Sequence, residues 1–131
     1  MLKVVKIGGN VVDNLEKLDA FLRDFASLDG PKILVHGGGK IATSIGRALG
    51  IEARMIEGRR VTDAETLKVV TMVYAGLVNK TIVDKLRTAG CRAFGLCGAD
   101  GGLILSRRRS PEPVSSAIRC PTGSGSMRPA C

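Results

Sequence analysis

The sequence predicts an α/β fold, a parallel sheet sandwiched by helices, and three observations carry that expectation. Short β-branched apolar runs end in glycines, amphipathic stripes follow them, and this strand, glycine, helix unit occurs twice before residue 50. Strands joined through crossover helices build a parallel sheet with right-handed connections.

Leu2 to Ile7 is the first expected strand, too short for a helix and closed by Gly8-Gly9. Beyond Asp13, Leu15, Leu18, Phe21, Leu22, Phe25 and Leu28 recur at helical spacing until Gly30-Pro31 ends the helix. Lys32 to His36 is a second strand; Gly37-Gly38-Gly39 follows, and Ile41, Ile45, Ala48 and Leu49 mark a second helix closing at Gly50. Residues 51 to 61 lack a helical period and read as a hairpin or short extended segments. Thr62-Asp63-Ala64-Glu65 forms a capping box with the Thr62 hydroxyl as cap. The helix it opens carries Leu67, Val70, Val73, Tyr74, Leu77 and Val78, then resumes through Ile82, Val83 and Leu86 after a break near Asn79. Arg92 to Leu96 reads as a third parallel strand ending in the turn Cys97 to Gly102, with Leu103 to Leu105 as a strand leaving it.

A chain of 131 residues fits one domain, and 44% hydrophobic with 24% charged residues excludes disorder throughout. Aromatic residues are 3%, so the core is aliphatic. No uninterrupted apolar run approaches the roughly 18 to 20 residues of a membrane span, and no signal-peptide pattern opens the chain. The expected location is cytoplasmic, with no membrane partner. The net charge of +8 invites a nucleic-acid reading, but half of it sits after Leu105, where five arginines meet one glutamate. Those arginines lack interleaved aromatics, so no nucleic-acid partner is expected. Four cysteines without a C-x-x-C pair and a single histidine predict free thiols and no metal site. From Ser106 onward, four of the five prolines and many serines predict a disordered tail over residues 106–131.

Ligands of parallel α/β sheets bind at the carboxyl ends of the strands, where this sequence places Gly8-Gly9, Gly37-Gly38-Gly39 and Gly98 to Gly102. Glycine lets backbone amides approach an anion, and a helix start just beyond adds its positive dipole end. Three such loops are expected to converge on one phosphate-binding rim, with Lys6 reaching in as a point charge for phosphoryl transfer. Walker A does not account for it, because Lys40 is followed by Ile41 rather than Ser or Thr. A dinucleotide Gly-x-Gly-x-x-Gly is also missing.

The segments Lys6-Ile7-Gly8-Gly9, His36-Gly37-Gly38-Gly39, Gly58-Arg59-Arg60-Val61-Thr62 and Ala75-Gly76-Leu77-Val78-Asn79-Lys80, in this order and spacing, resemble the amino-acid kinase family. Aspartate, uridylate and carbamate kinases in that family carry similar glycine loops. The second and third segments favour the branch that phosphorylates N-acetyl-L-glutamate. The resemblance implies the amino-acid kinase fold and ATP-dependent phosphorylation of the side-chain carboxylate of N-acetyl-L-glutamate, a step of arginine biosynthesis. ATP would come with Mg2+, the other partner would be the N-acyl-L-glutamate, and a homo-oligomer remains open. Lys6 looks like the lysine that stabilises the transferring phosphoryl group, and Gly8 and Gly9 look like amide donors to ATP phosphate. Gly38 and Gly39 look like the loop that contacts the acyl-amino-acid. Arg60 looks like the arginine that binds substrate carboxylate, a role suited to its donor fork. His36 is read as a rim or packing residue.

Family members continue into a carboxyl-terminal half that holds adenine and ribose, a second lysine, an organising aspartate and a substrate asparagine. The resemblance covers residues 1–105, read as the N-terminal, acyl-glutamate-binding half; residues 106–131 read as an aberrant tail, as a frameshift would give. This truncated chain is expected to be weakly active or inactive; the alternative is a non-catalytic acyl-amino-acid-binding fragment, or another member of the family resembling aspartate, carbamate or uridylate kinase.

Overall fold

The computed structural model describes residues 1–52, 54–56 and 59–106. They fall into two compact units, Met1–Leu96 and a second that begins at Cys97. Gly58 and the stretch from Arg107 to Cys131, with its expected disorder, lie outside the described residues.

In the first unit, β1 (Lys3–Lys6) and β2 (Lys32–Val35) pair in parallel, with Val4 opposite Ile33 and Lys6 opposite Val35. The Ile7 amide extends the ladder, donating to the Val35 carbonyl at 2.9 Å. The crossover runs through a single turn, α1 (Gly9–Val12), and α2 (Leu15–Ser27). Asn14 caps α2 by accepting from the Lys17 amide at 2.9 Å, and the helix buries Leu18, Leu22 and Phe25. After β2 comes α3 (Gly39–Ala48), then the antiparallel hairpin of β3 (Met55–Ile56) and β4 (Arg59–Arg60).

From Ala64 to Thr88 the chain is one continuous helix in three parts: α4 (Ala64–Thr71), a π-helical segment (Met72–Val78) and α5 (Asn79–Thr88). Its length and hydropathy would suffice to cross a membrane, which a scan for uninterrupted apolar runs does not register. Its buried residues instead line up as a core stripe: Val69, Val73, Val78, Ile82 and Leu86 join Leu18, Leu22, Phe25 and Ala42. Val5 and Leu34 pack against that core from the sheet. The alternate strand residues Val4, Ile33 and Val35 point the other way and are exposed, Val4 at 63%.

Several expectations change on this structure. The cap of α4 is Asp63, not Thr62: its carboxylate accepts from the Thr66 amide at 2.8 Å, so the helix starts one residue later than a capping box on Thr62 requires. The expected break near Asn79 is a π-helical widening before it, in which the buried stripe steps five residues from Val73 to Val78. That step changes the phase, so Leu67 and Leu77, expected on the stripe, are exposed, while Thr66 and Val69 are buried.

Arg92 to Leu96 alternates in exposure as a strand would, with Phe94 90% exposed, but no described strand pairs with it. Its carbonyls at Gly95 and Leu96 accept from the side chains of Lys80 and Asn79 instead. Within the second unit, Leu103 to Leu105 is no strand either. A 3-10 turn over Asp100–Gly102 brings the Ile104 amide back to the Gly98 carbonyl at 3.0 Å. Gly101 and Gly102 take positive φ in that turn, a backbone region that favours glycine.

Candidate functional site

A cleft of about 700 Å³ opens at the carboxyl ends of β1 and β2. Its walls come from the first unit: Lys6 to Gly9 from the end of β1, His36 to Lys40 from the end of β2, one turn of α3, and Arg60 and Met55 from the hairpin. The cleft thus unites Lys6, Gly8, Gly9, Gly38, Gly39 and Arg60, all expected from the sequence, with His36 on the same wall. The third expected glycine loop, Gly98 to Gly102, belongs to the second unit.

The local sequence explains why this cleft suits an anion. Both helices that start at its floor, α1 and α3, begin after a glycine, Gly8 and Gly38, with no side-chain cap. The first amides of a helix have no acceptor within it, so these starts leave donors for a ligand. Among the described residues, Lys6, Lys40, Arg47 and Arg60 stand in the lining against one carboxylate, that of Asp13. Lys6 makes no hydrogen bond or ion pair among the described residues, whereas Lys40 lies 3.8 Å from Asp13 and 3.5 Å from the Asn10 side-chain oxygen.

Arg60 is held in place. Its Nη2 donates to the Gly39 carbonyl at 2.9 Å and to Thr43 Oγ1 at 2.6 Å, while the Thr43 hydroxyl donates to the same carbonyl at 2.8 Å. A guanidinium has five N–H donors in a fixed fork, so fixing one end orients the donors on Nη1 and Nε. Hairpin and α3 are thereby tied at the point where the glycine loop becomes a helix.

The π-helical segment supplies the floor under that loop. A Cβ on Gly38 would lie 3.2 Å from both Tyr74 Cδ1 and Val78 Cγ2, so glycine is what lets the loop rest on the helix. Sequence reasoning placed Tyr74 in the core stripe and missed Asp13, Thr43 and Arg47 as lining residues. Spacing could have found two of them. Asp13 and Thr43 each stand four residues after a loop glycine, Gly9 and Gly39, and so share a helix face with it.

Among the described residues, no group of three or more His, Cys, Asp or Glu could hold a metal ion. The cleft's donors are cations and amides, which fit phosphate or carboxylate oxygens rather than a bare cation.

Fold and cleft together define an α/β domain with a cation-lined cleft between two strand-end glycine loops. A profile of the Amino acid kinase family matches residues 1–119, and the chain belongs to that family. The match runs past Leu105, where the resemblance read from the sequence stops. The acetylglutamate kinase of Cytophaga hutchinsonii is 62% identical over 117 residues, covering 89% of this chain and 43% of the relative. That of Methanopyrus kandleri is 47% identical, covering 83% of this chain and 42% of the relative. The chain therefore spans less than half the length of these curated relatives. Among solved structures, smu.665 from Streptococcus mutans UA159 superposes with a TM-score of 0.52 at 28% identity, covering 68% of this chain and 37% of that one.

Proposed function

We propose that the cleft is the acyl-glutamate half of an N-acetylglutamate kinase site, serving ATP-dependent phosphorylation of the side-chain carboxylate of N-acetyl-L-glutamate in arginine biosynthesis. The observation that carries this reading is the meeting, in one cleft, of Lys6, unpaired among the described residues, two uncapped helix starts and a pinned Arg60. The 62% identity to an acetylglutamate kinase supports N-acetyl-L-glutamate as the substrate.

The reaction brings two anions together, a carboxylate nucleophile and a polyphosphate, so the protein must offset their repulsion. Arg60 clamps a carboxylate of the amino acid with the donors that Gly39 and Thr43 leave free. Gly38 and Gly39 let the acyl-amino-acid lie against the main chain, and amides at Gly8 and Gly9 receive phosphate oxygens. Lys6 balances charge on the transferring group. Magnesium, carried by ATP rather than by a protein cage, would neutralise the polyphosphate. In this reading residues 1–105 are the acyl-glutamate-binding half of the family domain. The reaction belongs in the cytoplasm, a setting supported by the free thiols of Cys91 and Cys97.

The chain as given spans 43% of that relative's length, so binding by these residues is the property to test first. Calorimetry with N-acetyl-L-glutamate should show saturable binding that Lys6→Met leaves intact and Arg60→Met abolishes. ADP release by the chain should be little or none. Preference for aspartate, carbamate or a uridine nucleotide over N-acetyl-L-glutamate would overturn the substrate assignment, and ADP release at the rate of a full-length kinase would overturn the binding-only reading.

A further inference from the structure

Asn79 is a polar side chain buried at 7% exposure, placed immediately after the π-helical segment, and its role in the cleft can be read from the groups around it. Lys80 Nζ lies 3.1 Å from its Oδ1, and an ammonium can only donate. The Leu96 carbonyl lies 3.3 Å from its Nδ2, and a carbonyl can only accept. The amide is therefore turned one way, with Nδ2 facing His36 Nε2 at 3.2 Å. An NH2 group aimed at a ring nitrogen requires that nitrogen to be the acceptor. The other ring nitrogen, Nδ1, lies 3.0 Å from the Gly37 carbonyl oxygen, which again only accepts, so Nδ1 carries the proton.

These contacts leave one arrangement: a neutral imidazole protonated at Nδ1. Gly95 completes it, because a Cβ there would collide with Asn79 Oδ1 and stand 2.8 Å from Val83 Cγ2.

We propose that Asn79 is a positioning residue: it locks His36 as the Nδ1–H tautomer, whose hydrogen bond to the Gly37 carbonyl holds the Gly37-Gly38-Gly39 loop in its ligand-ready shape. The loop is then fixed from two sides, by Tyr74 and Val78 beneath Gly38 and by the imidazole at Gly37. Only the identity of the ligand rests on the function proposed above.

His36 is the only histidine in the chain, so a long-range 1H–15N spectrum of the full chain contains a single imidazole pattern. Without ligand, that pattern should show Nδ1 protonated and Nε2 bare. In Asn79→Asp, a carboxylate replaces the NH2 donor; read at a pH alkaline enough for the ring to be neutral, the tautomer should reverse, the amide signals of Gly37 to Gly39 should shift, and affinity for N-acetyl-L-glutamate should fall about tenfold. A wild-type spectrum with Nε2 protonated, or with the two tautomers averaged, overturns the proposal even if the variant does not fold. So does a variant whose tautomer reverses while the loop amides stay in place. Absence of N-acetyl-L-glutamate binding by a wild type that shows the Nδ1–H pattern would instead sink the substrate reading and leave the positioning role standing.

Discussion

Gly38 rests on Tyr74: a methyl group added to the glycine would sit 3.2 Å from the ring carbon Cδ1, tighter than most packing contacts. Gly38→Ala should therefore lift the loop off the π-helical segment, lowering stability by about 1–3 kcal/mol as overpacking does. Gly37→Ala is the control, since nothing lies within 4 Å of a Cβ there. Thermal melts of the two variants should separate clearly, and equal melts would contradict the contact.

Arg60 is the next test. Lysine could keep the charge but not the fork that reaches Gly39 and Thr43 while leaving further donors free. Hydrogen bonds to charged groups contribute about 1.5–3 kcal/mol, so Arg60→Lys should weaken N-acetyl-L-glutamate binding at least about tenfold. Titration calorimetry measures this directly.

Stability should follow burial rather than visible ion pairs. Leu22 is among the fully buried side chains, and Leu22→Ala should cost about 2–5 kcal/mol in urea unfolding. The Lys85–Asp19 pair joins α5 to α2 at 2.6 Å, yet both side chains are partly exposed. Asp19→Asn should cost under about 1 kcal/mol, and the difference should shrink further in salt.

Asp63 gives a pH dependence of known sign. The Thr66 amide, donating to the Asp63 carboxylate, holds that carboxyl below the ordinary value of 3.8. A carboxyl whose folded pKa is depressed contributes stability that is present above its unfolded value and lost as pH falls through the folded one. Asp63→Asn keeps an acceptor for the Thr66 amide but cannot titrate. The advantage of the parent chain over this variant in melting temperature should therefore be constant at neutral pH and disappear in acid below pH 3.8.

Much of this was legible because it is local. The β1 and β2 runs, their glycine stops and the α2 stripe follow from residue type and period alone, and so does the place of Lys6 at a strand end. α1 was not legible: Gly-Asn-Val-Val is a single turn led by glycine, and nothing in its composition favours a helix. The π-helical segment escaped because the many valines and leucines of Leu67 to Val78 satisfy several helical phases at once, and only packing selects among them. The pairing of Arg92 to Leu96 depends on neighbours distant in sequence, which a local pattern cannot report. In the cleft, motifs supplied the glycines and Arg60, while Tyr74 beneath the loop and Thr43 beside Arg60 emerge only once α3, the hairpin and the long helix are assembled.

The widened turn at Met72–Val78 also sets a rotational register. An α-helix advances about 100° per residue, and the five-residue step from Val73 to Val78 takes up one extra residue without turning the helix beyond it. Regular winding with that residue kept would swing Asn79 by that angle out of its berth beside His36, with charge and composition unchanged. Circular dichroism would report such a rewound helix as intact, although its glycine loop had lost its foundation.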